Sequence, residues 1–231
     1  NSVILRGGSE AFYSNLILSR LFKKSLKKNK ANENFVQFIN IKKRKVVDIL
    51  LKKMNKLIDV IIPRGGKNLV KKVQNKSTIP IIGHLEGNCH SYVDKDANHK
   101  IARKVILNAK MRNTAICGAT ETILLHEKII KKLGNSILKI LEENKCKIIG
   151  DDKVFKIYNG KIKRASNKDW SKEYLSSTVS VKSVKNLDEA ISHINKYGTM
   201  HTDCIITQNK KSAKKFLKEV KSSIAMHNTS T

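Results

Sequence analysis

Proline is almost missing from this chain: Pro63 and Pro80 are the two present in 231 residues. No proline-rich spacer or Ser/Gly-rich linker interrupts it, so any domain boundary is compact, and we expect it near the Gly83–Gly87 stretch. Aromatic side chains make up only 5% of the residues, too few for a base-stacking platform. Arginine is scarce at 7 residues, against 40 lysines, so the forked donor that reads phosphates and base edges is in short supply. The four cysteines (Cys89, Cys117, Cys146 and Cys204) have no paired spacing, which argues for a reducing compartment rather than a disulfide framework. No apolar run approaches the ~20 residues of a membrane span, and no signal-peptide pattern opens the chain. A soluble, cytoplasmic protein with no membrane association is expected.

What is abundant is lysine. With 47 Lys+Arg against 19 Asp+Glu the formal net charge is +28. Such a charge invites a nucleic-acid reading. The lysines, however, are spread along the whole chain in pairs such as Lys23-Lys24 and Lys131-Lys132, and 21 asparagines accompany them. An AT-rich coding bias produces the same enrichment without any function. A solvated surface therefore accounts for most of the charge, and specific nucleic-acid binding is not expected. At 40% hydrophobic residues the chain builds a core, and a wholly disordered basic tail is excluded.

Short β-branched runs alternate with helical patterns. Strands are expected at Ser2–Leu5, Phe35–Ile39, Ile58–Ile62, Ile79–Ile82, His90–Val93, Thr122–Leu125, Thr178–Val184, Cys204–Thr207 and Ile224–Met226. Helices are expected at Ser9–Leu26, Lys45–Met54, Lys67–Gln74, Ile101–Met111, Lys128–Glu143, Leu187–Lys196 and Ala213–Val220. This alternation implies an α/β architecture with mostly parallel pairing. Asn1 begins directly on a strand without an initiating Met, and Thr231 stops just after one, so the chain reads as part of a larger fold.

Two segments echo each other, Val3-Ile4-Leu5-Arg6-Gly7-Gly8 and Val60-Ile61-Ile62-Pro63-Arg64-Gly65-Gly66. Each is a strand, then Arg-Gly-Gly, then a helix. Glycine lets the backbone approach a ligand, a helix N-terminus offers free N–H groups, and the Arg adds a charge-assisted donor, a combination suited to phosphate. Two ordinary strand-to-helix turns would look the same, and neither segment matches G-x-G-x-x-G. Cys117, in Ile116-Cys117-Gly118-Ala119, sits in a small-residue connection that offers access and backbone N–H groups to a nucleophilic thiol; a buried structural Cys is the alternative. Cys89-His90 could form an activated pair, but strand neighbours point to opposite faces. His201 and Cys204 could ligate a metal, yet no second ligand pair stands at a recognised spacing, so no metal site is expected. Glu86 could serve as a general base and Glu173 could reach a ribose hydroxyl, or both could be surface charges.

Four stretches together resemble γ-glutamyl phosphate reductase (glutamate-5-semialdehyde dehydrogenase), of the aldehyde dehydrogenase superfamily. They are Asn1–Glu10, Asp59–Gly66, Asn108–Arg112 leading into Cys117–Thr122, and Leu187–Ile194 continuing through Tyr197–Asp203. The resemblance implies a partial Rossmann-like cofactor domain over 1–86 and a largely complete α/β catalytic domain over 87–231. It implies NADPH-dependent reduction of L-glutamyl 5-phosphate to L-glutamate 5-semialdehyde and phosphate, in proline synthesis, through a thioacyl intermediate on Cys117. Arg6, Gly7, Gly8, Ser9 and Glu10 would lie at the adenosine-ribose side of NADP(H), Arg64, Gly65 and Gly66 near its phosphates, and Glu173 near the nicotinamide ribose. His201, Asn228 and Ser230 would border the substrate, and Glu86 aligns with the acid used by many aldehyde dehydrogenases. Implied partners are glutamate 5-kinase or complementary reductase segments, and a homo-oligomer in the full-length family.

Family members extend further on both sides, where the opening strands of the cofactor domain, the oxyanion-stabilising side chain and the closing segment would be. An oxyanion donor is commonly worth ~10²–10³ in rate, so the chain alone is expected to be a poor catalyst. A truncated, catalytically inactive remnant is the alternative to an active reductase, and a Lys-rich nucleic-acid binder is the third reading.

Overall fold

The structure, a computed structural model, describes residues 2–231; Asn1, the first residue of the first matched stretch, lies outside the described residues. The chain divides into two compact units, Asn1–Gly83 and His84–Thr231.

In the first unit, β1 (Val3–Leu5) pairs in parallel with β2 (Val36–Phe38), and α1 (Phe12–Lys28) connects them. Two further helices follow, α2 (Lys45–Lys53) and α3 (Lys67–Lys76). Leu51, Val70, Val73 and Ile79 form its small buried core. Two strands cannot cover the apolar faces around them, and Val3, Ile4 and Leu5 remain 43%, 38% and 38% exposed. Tyr13, Ile17, Leu21 and Phe22 of α1 are likewise exposed.

The expected strands Ile58–Ile62 and Ile79–Ile82 are not formed as strands: they meet at a single parallel bridge, Ile61 with Ile81. Pro63 ends one run, and Pro80, with no N–H to give, interrupts the other, so only Ile61 N–H to Pro80 O and Ile82 N–H to Ile61 O are made.

The second unit holds a seven-stranded, all-parallel sheet. Its strands are β3 (Cys89–Val93), β4 (Thr120–His126), β5 (Lys147–Gly150), β6 (Ile162–Arg164), β7 (Thr178–Val184), β8 (Thr202–Ile206) and β9 (Ile224–His227), in the spatial order β6-β5-β7-β4-β3-β8-β9. The central strands are buried on both faces, which is why they read as continuous apolar runs. One face packs on α4 (His99–Met111), α5 (Asn135–Glu143) and α6 (Asp152–Ile157) through Ile106, Ile123, Leu125, Leu138 and Val154. The other packs on α7 (Leu187–Tyr197) and α8 (Lys210–Glu219) through Tyr92, Leu124, Ile194, Ile205 and Phe216.

Part of the asparagine excess is structural. Asn98, Asn186 and Asn209 accept backbone N–H groups at the starts of α4, α7 and α8. The expected single helix over Lys128–Glu143 is instead a 3₁₀ turn at Glu127–Ile129, a π turn at Ile130–Gly134, and then α5. The pattern breaks at Gly134, the poorest helix former in the run. Strands β5 and β6 lie where no strand was expected, their short apolar stretches being interrupted by lysine. No described helix is long and apolar enough to cross a membrane.

Candidate active site

Because the sheet is parallel, the residues that enter its strands gather along one edge. Cys117 precedes β4, Cys89 opens β3, and His201 precedes β8, the neighbour of β3 on its other side. The candidate nucleophile therefore sits at the amino edge of the three central strands, whereas open α/β sheets commonly use the carboxyl edge.

Cys117 is partly exposed. Its loop packs against residues 84–89. The backbone of Gly87 lies so near that a Cβ there would collide with the Cys117 carbonyl, and only glycine allows this approach. The Cys89 thiol donates to the same carbonyl at 3.1 Å. Asn88 fixes this segment from within the core. Its Nδ2 donates to Trp170 O and Tyr197 O, both at 2.8 Å, and its N–H donates to Thr199 Oγ1 at 2.9 Å.

Glu173 joins through Gly87, whose N–H donates to its Oε1 at 2.7 Å. The carboxylate thus secures the strand of chain that lies on Cys117. Glu86, partly exposed, stands in the same 84–87 segment.

His201 lies beside Cys117. Its Nδ1 is 2.8 Å from Thr202 Oγ1 and 3.8 Å from Cys89 Sγ, and its ring meets His84 edge-on at a centroid distance of 4.4 Å. Burial lowers the His201 pKa, with His84 adding to the effect and Asp203 and Glu173 opposing it. The residue before it, Met200, is held at φ 58°, a left-handed conformation that turns the chain toward the edge.

One support of this edge was not anticipated. Lys110, near the end of α4, and Glu121, in β4, make an ion pair sealed from solvent, Nζ to Oε2 2.6 Å. Among the described residues Lys110 is the one buried lysine. The other oxygen, Glu121 Oε1, accepts the Leu175 N–H at 3.1 Å. Burial pushes the Glu121 carboxyl up while Lys110 pulls it down. The sheet register slips here: Cys89 pairs with Thr120 and His90 with Thr122, so Glu121 stands opposite no β3 residue. Both residues fall in stretches matched by the resemblance, but a Lys and a Glu on alternating elements read as surface charges in sequence.

Cys89 and His90 do face opposite ways. His90 is buried against Asp203, which accepts its N–H at 2.6 Å and lies 3.2 Å from its Nδ1. Cys204 does not accompany His201: its buried thiol donates to Thr229 O at 3.0 Å, and burial pushes its pKa up to about 12.

Asn228 is not brought to the cluster. It sits past β9 at the carboxyl edge, its Oδ1 accepting Thr207 N–H and its Nδ2 donating to Thr207 O. From that turn the chain runs back. The Ser230 hydroxyl reaches Asn108 Oδ1 at 2.7 Å, and the Thr231 hydroxyl reaches Gly118 O, beside Cys117, at 3.1 Å.

In the first unit, Arg6-Gly7-Gly8-Ser9-Glu10 lies between β1 and α1. Arg6 donates weakly to Lys42 O at 3.5 Å, and its buried Nε has no partner. Ser9 contacts Glu10 at 3.4 Å. Arg64-Gly65-Gly66 leads into α3, with Gly65 at φ 151° and Gly66 as the N-cap residue. Apart from the adjoining residues, nothing stands within 4 Å of where a Gly66 side chain would begin, so the entry to α3 is open at that residue.

No family model matches the chain. Known structures place the fold. NADP-dependent glyceraldehyde-3-phosphate dehydrogenase from Bacillus halodurans, solved with NADP, superposes over 100% of this chain and 56% of its own at a TM-score of 0.74 and 16% identity. The chain thus has an α/β fold of the aldehyde-dehydrogenase-like kind.

Its relatives are narrower. Gamma-glutamyl phosphate reductase of Bartonella quintana is 43% identical over 232 residues, covering 100% of this chain and 56% of that protein. The crystal structure of gamma-glutamyl phosphate reductase from Thermotoga maritima matches at 36% identity and a TM-score of 0.91, covering 100% of this chain and 55% of that one. Over its whole length the chain is a homologue of the gamma-glutamyl phosphate reductases. It spans about half the length of the curated relatives it matches.

Proposed function

We propose that this chain performs the thiol chemistry in an NADPH-dependent reduction of L-glutamyl 5-phosphate to L-glutamate 5-semialdehyde, a cytoplasmic step of proline synthesis. The observation that carries this reading is the placement of Cys117. It is the partly exposed member of four cysteines, held in a glycine-packed loop at the edge of the sheet, in a chain homologous throughout to such reductases.

In this reading Cys117 Sγ, as thiolate, attacks the acyl carbon. The carbon–oxygen bond to phosphate breaks, phosphate leaves with the electron pair, and a thioester forms on Cys117. Covalent capture holds the carbonyl in one place, so that the following step is effectively unimolecular. NADPH, when bound, supplies hydride. Collapse of the thiohemiacetal on Cys117 breaks the carbon–sulfur bond, releases the aldehyde and returns the thiol. His201 and Ser230 border the acyl chain, and Asn228 sets the turn that brings Ser230 and Thr231 back toward Cys117. Glu86 is the candidate acid or base, although acyl-phosphate reduction needs no deacylating water. Glu173 acts near the nicotinamide ribose while holding Gly87.

Residues 1–86 are read as the cofactor part and 87–231 as the catalytic part. The first unit's own residues suit a phosphate-bearing cofactor. The unpartnered Arg6 Nε and the open approach at Gly66 are features an anionic ligand would satisfy.

The test is to supply L-glutamyl 5-phosphate, generated by a kinase and ATP, to the purified chain without NADPH and to examine it by mass spectrometry after acid quench. A glutamyl adduct on Cys117, absent from Cys117→Ser, is the expected result. No adduct, or one on another residue, overturns the reading.

A further inference from the structure

We propose that His84, Cys117 and His201 form a binding site for a borderline-soft divalent cation, Zn²⁺ foremost, and that the ion masks the Cys117 thiol when it binds. In sequence the three residues are remote, and His201 had only Cys204 for company. The fold instead sends Cys204 into the core and brings in two other ligands. A ligand atom from each of His84, Cys117 and His201 lies within 4.8 Å of the other two.

They come from three separate connections at the amino edge: the segment before β3, the loop before β4 and the turn before β8. One thiol and two imidazoles form a donor set of the kind zinc takes, with a fourth position for water. Tetrahedral zinc with such ligands needs them roughly 3.5 Å apart, so side chains must draw in by about 1 Å. All three belong to connecting segments, where side chains have the freedom to close.

The surroundings fit the assignment. His201 Nδ1 has an outer partner in Thr202 Oγ1 at 2.8 Å, of the kind that fixes the orientation of a ligating ring and leaves Nε2 for the ion. Partial exposure of Cys117 gives an entry path. Hard cations are poorly served, because the set offers no oxygen ligand. Binding releases the thiol proton to solvent, and the thiolate lone pair goes to the metal without any change of oxidation state. The claim concerns the free Cys117 thiol and stands whether or not that thiol also serves as an acyl carrier.

The experiment titrates the full chain with Co²⁺ as a spectroscopic stand-in for zinc. A thiolate-to-cobalt charge-transfer band in the near ultraviolet is expected, displaced by one equivalent of Zn²⁺. The same Zn²⁺ should slow alkylation of Cys117 by iodoacetamide at least about tenfold. Cys117→Ser, or prior alkylation of Cys117 in the unmutated chain, should abolish the band. His84→Ala and His201→Ala should each weaken binding by at least about tenfold, with His99→Ala unchanged and folding of every variant checked by circular dichroism. The proposal is overturned if no band forms, if neither histidine variant changes the affinity, or if the band survives Cys117→Ser and is lost in Cys89→Ser.

Discussion

Lys110 Nζ and Glu121 Oε2 lie 2.6 Å apart with no solvent access to either side chain, and the ten residues between them include the whole Cys117 loop. The pair clamps both ends of that loop. Through Leu175 N–H it also holds the segment carrying Glu173, whose other end secures Gly87. Removing one charge strands the other in the core. Glu121→Gln, which keeps an acceptor for Leu175, should therefore cost about 3–5 kcal/mol in urea unfolding. Adding Lys110→Met should recover at least half of that loss, since a neutral pair carries no uncompensated charge. A double variant as unstable as the single one would show that the clamp acts by shape rather than by charge.

Gly87 and Gly66 should respond differently to the same methyl group. At Gly87 the Cβ has no room beside the Cys117 carbonyl, so Gly87→Ala must shift one backbone against another. Destabilisation of about 1–3 kcal/mol is expected, together with a changed rate of Cys117 alkylation. At Gly66 nothing beyond the adjoining residues lies within 4 Å and the backbone is in the extended region, so Gly66→Ala meets no clash and should cost no more than about 1 kcal/mol, from alanine's poorer N-cap preference. Thermal melts and timed iodoacetamide labelling measure both effects.

The four thiols should separate cleanly in the native chain. Cys89, Cys146 and Cys204 are 2%, 4% and 2% exposed, and burial raises the pKa of each, to about 11 for Cys146 and about 12 for Cys204. Only the thiolate reacts, and it must be reached. Brief labelling at neutral pH followed by peptide mass spectrometry should find the label on Cys117, with the other three modified only after denaturation. Equal labelling of Cys89 would contradict the packing of the 84–89 segment.

How much of this was legible in sequence depended on whether a signal is local. The buried strand β7 stands at Thr178–Val184, as its β-branched run indicates, and α4 and α7 follow the 3.6-residue pattern closely. Strands β5 and β6 were missed because Lys147 and Lys163 break runs too short to register. Cys117 was legible because small residues surround it. His84 was not, since its approach to Cys117 and His201 depends on three loops meeting at one edge of a parallel sheet. Nor was the Lys110–Glu121 pair, because burial of a lysine inverts the usual meaning of a charge on a helix.

The buried His193 should make stability depend on pH in a definite window. Its ring is 5% exposed, its Nε2 has no partner, and it is enclosed by Trp170, Tyr197 and His90 at centroid distances of 5.7, 4.6 and 5.5 Å. Burial pushes its pKa down to about 3, and His90 together with Lys182 and Lys196 opposes protonation further. An unfolded histidine titrates near 6.5. Between those values the unfolded chain binds a proton that the folded chain refuses, so stability rises with pH there and the contribution is flat above about 6.5. The slope from this one residue approaches ~1.4 kcal/mol per pH unit. From pH 5 to 6.5 the carboxylates with lowered pKa, such as Asp169 and Glu127, have already ionised in both states, whereas Glu121, pushed up by burial, works with the opposite sign to the histidines. His126 and His201, also lowered, act with the same sign as His193, so its share is read by difference. Urea unfolding across this range should show a shallower pH dependence in His193→Gln than in the parent, whatever the variant's absolute stability. An unchanged slope would mean that His193 takes up its proton within the folded core.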